Sequence, residues 1–239
     1  MRYFCSTIFF MRFTWFKIVA MVLLLSTIIA AYYVPVPALP MIKESIRNLY
    51  FHVCMWMVMA TMQIFSVVYA VKNLYKNNLN FDAKSHAFAL TATVFGLFGY
   101  ATGFIWASYT WTMKTNEPVF DLGIFREPKL IGAGICLLVY FGYLVFRNSI
   151  IEPLQRAKLS SVYNIFAFAI MIPSIYVVPN LYESLHPGGQ GSPVFGKSDL
   201  SGTMRLVFWP AVFGYCCLAY WVSSLVFRIN IIKNKLYLK

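Results

Sequence analysis

Six runs of apolar residues dominate the sequence and limit the folds that it can adopt. Each run is long enough for a helix to cross a bilayer, which takes roughly 17 to 25 apolar residues. The runs are too long for the strands of a membrane barrel, and backbone amides in lipid need internal partners. We therefore predict six transmembrane helices. Their ranges are 17–34, 51–71, 87–105, 130–146, 161–178 and 206–227.

The composition agrees with an integral membrane protein of the all-α class. Of the 239 residues, 60% are hydrophobic and 12% are charged, which leaves too few charges to cover a soluble globule. The net charge of +12 does not indicate nucleic-acid binding, because the basic residues form short clusters between apolar runs instead of one basic face. We expect one membrane domain over residues 1–239, and we interpret its first apolar run as an uncleaved span.

The distribution of Lys and Arg predicts the orientation. If both termini are cytoplasmic, the inside segments hold thirteen of the 20 basic residues, whereas the outside loops hold six of the eight acids. The outside loops are then about 35–50, 106–129 and 179–205. The loop at 106–129 is polar, charged and aromatic, and the spans on both sides of it are uncharged. It is therefore a candidate site.

Two of the three histidines lie on the side of that loop. His52 is at the outer end of the second span and His186 is in the third outside loop, whereas His86 falls on the opposite side. Two neutral imidazoles from different segments can ligate one metal, and aromatic neighbours suit a flat apolar macrocycle better than a bare ion. This pattern indicates haem. The alternative is that each histidine is an interfacial side chain, just as Trp106 and Trp111 could belong to an interfacial aromatic belt.

These residues resemble the haem-handling proteins of cytochrome c maturation, in particular the six-span haem exporter protein C (CcmC) type. The segment from Arg47 to Trp56, with Tyr50-Phe51-His52-Val53-Cys54, is similar to that family's Tyr-x-His-Val-Pro segment. Leu185-His186 resembles its second histidine segment. Trp106 with Trp111 resembles the opening of its tryptophan-rich WWD loop, and Glu127-Pro128-Lys129-Leu130 resembles the end of that loop. The loop is divergent, because the paired tryptophans are absent and Glu127 stands where the family has Asp.

The resemblance implies that His52 and His186 are the two axial ligands of one haem b at the periplasmic face of the inner membrane. Trp106, Trp111, Phe125 and Glu127 would then lie beside the porphyrin. Family members present haem to a membrane-anchored haem chaperone and associate with subunits of an ABC-type transporter. The protein would hold and present haem without catalysing a reaction, so we do not expect an enzyme. The propionates could pair with basic residues of the outer side. Those candidates are Arg47, Arg126, Lys129 and Arg205.

Two other functions remain open from the sequence. The first is a b-type cytochrome that carries electrons in the membrane. Such proteins usually place their ligand histidines within the spans, whereas both candidates here lie at one edge. The second is a haem-free transporter subunit, for which neither histidine has a metal to bind.

Overall fold

All regular structure in the described residues is helical. The structure is a computed structural model that describes residues 15–36, 43–115, 127–178, 181–182 and 200–237, without the side chains of residues 43, 111–115 and 234–237. A 3-10 helix at Lys43–Asn48 precedes the second long helix, and a π turn at Pro173–Val177 follows the fifth. The six long helices are α1 (Trp15–Tyr33), α2 (Leu49–Lys76), α3 (Leu79–Thr115), α4 (Pro128–Ser149), α5 (Pro153–Ile172) and α6 (Gly202–Tyr237).

Six helices in the described part of the chain are long and apolar enough to cross a membrane, which is the number that the sequence predicts. Their outward surfaces agree with this assignment. Large apolar side chains such as Leu97, Leu138 and Phe166 are exposed at the outside of the bundle, along with many others on every helix. Apolar surfaces of this extent are rare on soluble monomers, and lipid is the solvent that suits them.

The predicted loop at 106–129 is wrong over its first ten residues, because α3 continues through Thr115. The polar side chains of this segment fit a helix. The hydroxyl of Ser108 donates to the carbonyl of Phe104 at 2.8 Å, and that of Thr110 donates to the carbonyl of Trp106 at 2.9 Å. Hydroxyls that bond to a carbonyl one turn back need no water, so their polarity does not end the helix. The rest of the loop, 116–126, lies outside the described residues.

The predicted loop at 35–50 also contains more helix than expected. Residues Lys43–Asn48 form the 3-10 helix, and α2 begins at Leu49, so that His52 lies in the first turn of α2. The Arg47 side chain holds this segment in place. Its Nη1 donates to the carbonyls of Ala31 and Val34 at 2.5 and 2.8 Å, which supplies partners for carbonyls at the end of α1.

Prolines and caps set several of the other helix ends. Pro128 and Pro153 occupy the first position of α4 and α5, where a missing N–H costs nothing. The carboxylate of Glu152 caps α5 by accepting from the backbone N–H groups of Leu154 and Gln155. At Pro173 the regular α-helix of α5 gives way to the π turn, because proline has no N–H to continue the helical bonding.

The helices run up and down, which gives the bundle two ends. Asn77 adopts a left-handed conformation at the end of α2 (φ 46°), and its N–H bonds to the carbonyl of Asn73, so the chain reverses directly into α3. We call the end with the starts of α2, α4 and α6 the His52 end, and the opposite end the Asp82 end. The α6 helix spans both, because Met204 and Phe208 pack near Tyr50, whereas Asn230 contacts His86.

Two buried clusters form the core. The larger one joins α2 to α3, α4 and α5 through residues such as Met59, Phe95 and Tyr140. The smaller one lies at the His52 end and joins α1, the 3-10 helix, α2 and α6 through Ile46, Tyr50 and Phe208. The α2 helix contributes to both clusters. His52 lies two residues after Tyr50, a buried member of the smaller cluster.

Candidate functional site

A row of glycines on α3 lets α2 approach closely at the His52 end. Gly96, Gly99 and Gly103 are spaced three and four residues apart, so they share one face of α3. Met59, Trp56 and His52 of α2 lie against them in that order. A Cβ on Gly103 would lie 2.9 Å from Nδ1 of His52 and closer still to its Cε1, so no larger residue fits without moving the imidazole ring.

The backbone of α3 orients the His52 ring. Nδ1 lies 2.9 Å from the carbonyl oxygen of Gly99 and 3.4 Å from the hydroxyl of Thr102. The hydroxyl of Thr102 bonds to the carbonyls of Phe98 and Gly99 at 2.7 and 3.1 Å. Because a carbonyl only accepts, the contact to Gly99 requires a proton on Nδ1. The neutral ring then carries its lone pair on Nε2, which is the form that ligates a metal.

Trp106 lies on the same face of α3 as Gly99 and Gly103. Its Nε1 donates to the backbone carbonyl of Ser45 at 3.0 Å and lies 3.3 Å from the Ser45 hydroxyl. Nearby, the side-chain amide of Asn48 lies 3.5 Å from the carbonyl of Thr102. These contacts fasten the 3-10 helix to α3 beside His52, so the half-buried Trp106 borders the site.

Glu127 is almost fully buried, at 5% exposure. It is the N-cap residue of α4 and its carbonyl accepts from the N–H of Ile131 at 2.9 Å, although its carboxylate does not cap the helix. A carboxylate at this position is stabilised by the positive end of the helix dipole. The structure thus places Glu127, near the end of the loop predicted at 106–129, at the His52 end.

The other predicted site residues are only partly placed. Trp111 lies on α3 five residues beyond Trp106, in the segment whose side chains are not described. His186 and Phe125 lie outside the described residues, so the pairing of His52 with His186 stays a prediction. Within the described residues no group of three or more His, Cys, Asp or Glu side chains could hold a metal ion.

Two of the four basic residues expected near the propionates, Arg47 and Arg205, have other contacts in the structure. Arg47 bonds to the carbonyls at the end of α1 and forms an ion pair with Glu44 at 2.5 Å. The Nε of Arg205 donates to the carbonyl of Leu200 at 3.2 Å. Arg126 lies outside the described residues, and Lys129 is the second residue of α4, two residues after Glu127. Arg47 is therefore a structural residue at this end of the bundle.

A buried ion pair that the sequence did not predict joins two helices at the Asp82 end. Nη1 and Nη2 of Arg147 donate to Oδ1 and Oδ2 of Asp82, each at 2.6 Å, and the two side chains are 7% and 2% exposed. Arg147 is one of the thirteen basic residues of the predicted inside segments, and the bias of Lys and Arg indicates only its side of the membrane. A sequence signal existed, because Asp82 is the sole acid among the inside residues that precede the third span. Two-pronged pairing of this kind joins α3 to α4.

A ladder of buried polar residues links three helices near the same end. The amide of Asn164 on α5 donates to the hydroxyls of Ser66 and Ser85 at 2.7 and 3.2 Å, and Asn73 donates to the carbonyl of Ala157 at 3.1 Å. Such bonds between helices provide specific association in an apolar setting.

Two cavities bounded by described residues lie away from His52. One cavity lies between α2, α3 and α6 and includes Lys84 and Arg228, and the other is an apolar groove along α4 and α5 that includes Phe146 and Phe166. His52 lines neither. Searches for relatives add no functional assignment, because no protein-family model matches the chain and no curated protein matches it.

Proposed function

We propose that the protein is a multi-pass inner-membrane protein that binds haem at the His52 end and presents it to a haem chaperone during cytochrome c maturation. In this role it works within a haem export and delivery complex that includes subunits of an ABC-type transporter. It holds and releases its cargo and is not an enzyme. Two things support the proposal. One is the resemblance of the histidine segments and of the loop at 106–129 to the family named above, and the other is a single structural observation.

That observation is the hydrogen bond from His52 Nδ1 to the Gly99 carbonyl, 2.9 Å long. It fits an axial haem ligand, because a histidine that ligates through Nε2 usually donates its other ring proton to a carbonyl or carboxylate. His52 also lies in the first turn of its helix, so a partner can approach it from the aqueous side. A ligand deep within the bundle would not allow this.

In the proposed site His186 would supply the second nitrogen ligand of the haem. Trp106, Trp111 and Phe125 provide apolar surface beside the macrocycle, and Glu127 marks the end of the loop that encloses it. Bound haem would supply an iron centre that accepts two imidazole nitrogens. The residues of this chain hold, orient and expose it.

The proposed orientation of the protein in the membrane rests on the distribution of Lys and Arg between its loops. With both termini in the cytoplasm, the Asp82 end is cytoplasmic and the His52 end is periplasmic, which follows the bias of Lys and Arg in the short loops. An alkaline phosphatase domain inserted in the 183–199 segment should then be active, and one fused after Tyr237 should be inactive. The reverse result would overturn this orientation.

The visible absorption spectrum of the full chain, purified in detergent, tests the proposal directly. We expect a Soret band in the wild type that is shifted or lost in His52→Ala and in His186→Ala. The matched control is His86→Ala, because His86 lies at the Asp82 end, where its ring contacts Asn230 at 3.0 Å. If His52→Ala gave the wild-type spectrum while His86→Ala changed it, the proposed site would be wrong.

The proposed transfer of haem to a haem chaperone is tested by a second measurement. A presenter should form a complex with the haem chaperone that depends on haem occupancy, so indifference of that complex to haem would exclude the delivery role. Rapid and reversible reduction of the haem by quinol would instead favour a membrane electron carrier of the b-type cytochrome class.

A haem-free transporter subunit is the second candidate, and one observation favours it. Among the described residues several buried polar groups have no hydrogen-bond partner, including the side-chain amide of Gln63 and the hydroxyls of Tyr140 and Ser160. Polar groups of this kind within transmembrane helices often mark a substrate or ion pathway. This candidate predicts that no porphyrin copurifies with the wild-type protein.

A further inference from the structure

The cavity between α2, α3 and α6 at the Asp82 end is lined by basic, hydroxyl and aromatic side chains. Lys84 comes from α3, Tyr69 from α2, and Ser223, Ser224, Phe227 and Arg228 from α6. The volume of the cavity is about 30 Å³, whereas a single water needs roughly 10–15 Å³. One or two oxygen atoms of a larger ligand fit inside, and the remainder of the ligand would lie at the opening.

The charge around this cavity is positive. The Nζ atom of Lys84 lies 5.2 Å from the centroid of the Tyr69 ring and 5.6 Å from that of Phe227. Lys72 also lies over Tyr69, with its Nζ at 5.3 Å. Two ammonium groups thus share one ring and are at most about twice that distance apart. None of the described residues that line the cavity is acidic, and Asp82 is bound by Arg147.

A buried hydroxyl in the cavity wall lacks a partner. Ser223 is 1% exposed, and its Oγ has no hydrogen-bond partner among the described residues. The hydroxyl of its neighbour Ser224, by contrast, donates to the carbonyl of Trp221 at 2.7 Å. Buried hydroxyls in native proteins nearly always bond to something, so an unpartnered one in a cavity wall points to a bound water or ligand.

The ligand class follows from these groups. Two cationic side chains and a hydroxyl donor suit a phosphate oxygen, which accepts charge-assisted hydrogen bonds. The outer face of α6 beside the cavity is apolar, with Leu225, Ile229 and Ile232 exposed. Acyl chains can lie along that face while the headgroup reaches Lys84 and Arg228. Basic pockets between transmembrane helices are a recognised setting for anionic headgroups.

We propose that this cavity binds the phosphate of an anionic phospholipid, through Lys84, Arg228 and the hydroxyl of Ser223. The site is separate from the proposed haem site, because it lies at the other end of the bundle. It would anchor α3 and α6 to the membrane surface at the Asp82 end.

Thermal unfolding of the full chain in detergent tests the proposal. The melting temperature is measured against added dioctanoyl phosphatidylglycerol, dioctanoyl phosphatidylcholine or inorganic phosphate. We expect phosphatidylglycerol to raise the melting temperature of the wild type well above the effect of the other two. Lys84→Gln should weaken its apparent affinity about fivefold, as expected for one basic side chain at an anionic surface.

Three further variants make the test specific. Lys158→Gln removes the same charge from an exposed residue of α5 at the same end, and it should change the affinity less than twofold. Lys84→Arg keeps the charge and should retain binding. Ser223→Ala removes the hydroxyl without a partner, so it should weaken the lipid response and leave the melting temperature of the lipid-free protein unchanged or higher.

Two results would overturn the proposal. If Lys84→Gln and Lys158→Gln weakened binding equally, the effect would be general electrostatic attraction and not a site. If inorganic phosphate gave the same response as phosphatidylglycerol, the ligand would be a soluble phosphate compound instead of a lipid. The Soret band of Lys84→Gln should match the wild type, which separates failure of this site from failure of the haem site.

Discussion

His52 owes its orientation to the small residues of α3. The Gly99 carbonyl fixes the protonated nitrogen, and Gly103 leaves room for the ring against α3. The sequence identified His52 as a candidate because it stands at the end of an apolar run beside aromatic residues. The contacts of His52 with Gly99 and Gly103 could not be predicted, because they depend on the register in which α2 packs on α3. One sequence does not specify that register.

Substitution Gly103→Ala tests the support of His52 without touching the ligand. The added methyl would overlap the imidazole ring, so we expect the Soret band to weaken or shift, with a loss of about 1–3 kcal/mol in the free energy of unfolding from overpacking. Absorption spectra and thermal unfolding in detergent give both quantities. This variant should resemble His52→Ala in its spectrum.

The matched control for that change is Gly134→Ala. A Cβ at Gly134 of α4 would lie 3.7 to 4.0 Å from the ring of Tyr100, which is ordinary contact. Alanine is also favoured over glycine within a helix by about 0.5–1 kcal/mol. Gly134→Ala should therefore keep the spectrum and at least the wild-type stability. Equal haem retention by the two alanine variants would contradict the close packing of His52 on Gly103.

At the level of elements, hydropathy predicted the helices better than their ends. The apolar runs located all six helices, but α3 extends ten residues beyond its predicted span because Ser108 and Thr110 bond to its own carbonyls. The 3-10 helix was also missed. Its position depends on bonds from Arg47 and Trp106 to distant carbonyls, and such contacts leave no periodic pattern in the sequence.

The substitution Trp106→Phe tests the hydrogen bond of the indole N–H separately from the packing of the aromatic ring. The variant keeps an aromatic ring but loses the donor to the Ser45 carbonyl, so the 3-10 helix should be held less firmly to α3. We expect a loss of about 1 kcal/mol in the free energy of unfolding and faster hydrogen exchange in residues 43–48. Ser45→Ala removes only the longer contact at 3.3 Å and should have a smaller effect. A larger effect from Ser45→Ala would assign the stabilisation to its hydroxyl.

Arg47→Met tests the attachment of α1 to the rest of the bundle. It removes the charged donor to the carbonyls of Ala31 and Val34, for which we expect a cost of about 1.5–3 kcal/mol. Limited proteolysis between residues 34 and 43 should become faster. Glu44→Gln is the control, because the Glu44 side chain is 74% exposed and an ion pair to it contributes little. If both variants were cleaved equally fast, the hydrogen bonds from Arg47 to the carbonyls of Ala31 and Val34 would not be what attaches α1 to the bundle.

On the scale of the whole molecule, the buried polar side chains at the Asp82 end join four of the helices to one another. The Asp82–Arg147 pair joins α3 to α4, and the ladder of Ser66, Ser85 and Asn164 joins α2, α3 and α5. The sequence predicted the number of helices, since that depends on composition along the chain. It did not predict which side chains pair. The bias of Lys and Arg indicates the side of the membrane on which Arg147 lies, but not which residues lie next to it in space.

This arrangement leads to a prediction about the buried ion pair. Replacing Arg147 with Met should cost about 3–5 kcal/mol, because Asp82 is left charged and unpaired in an apolar setting. The double variant Asp82→Leu with Arg147→Met should recover most of that loss, since apolar residues of similar volume often replace a buried pair without penalty. Denaturation of each variant in mixed micelles gives the coupling energy. Both should keep the wild-type Soret band, because His52 lies at the other end of the bundle. A double variant as unstable as the single one would show that α3 and α4 need the pair itself, and not merely the absence of an unpaired charge.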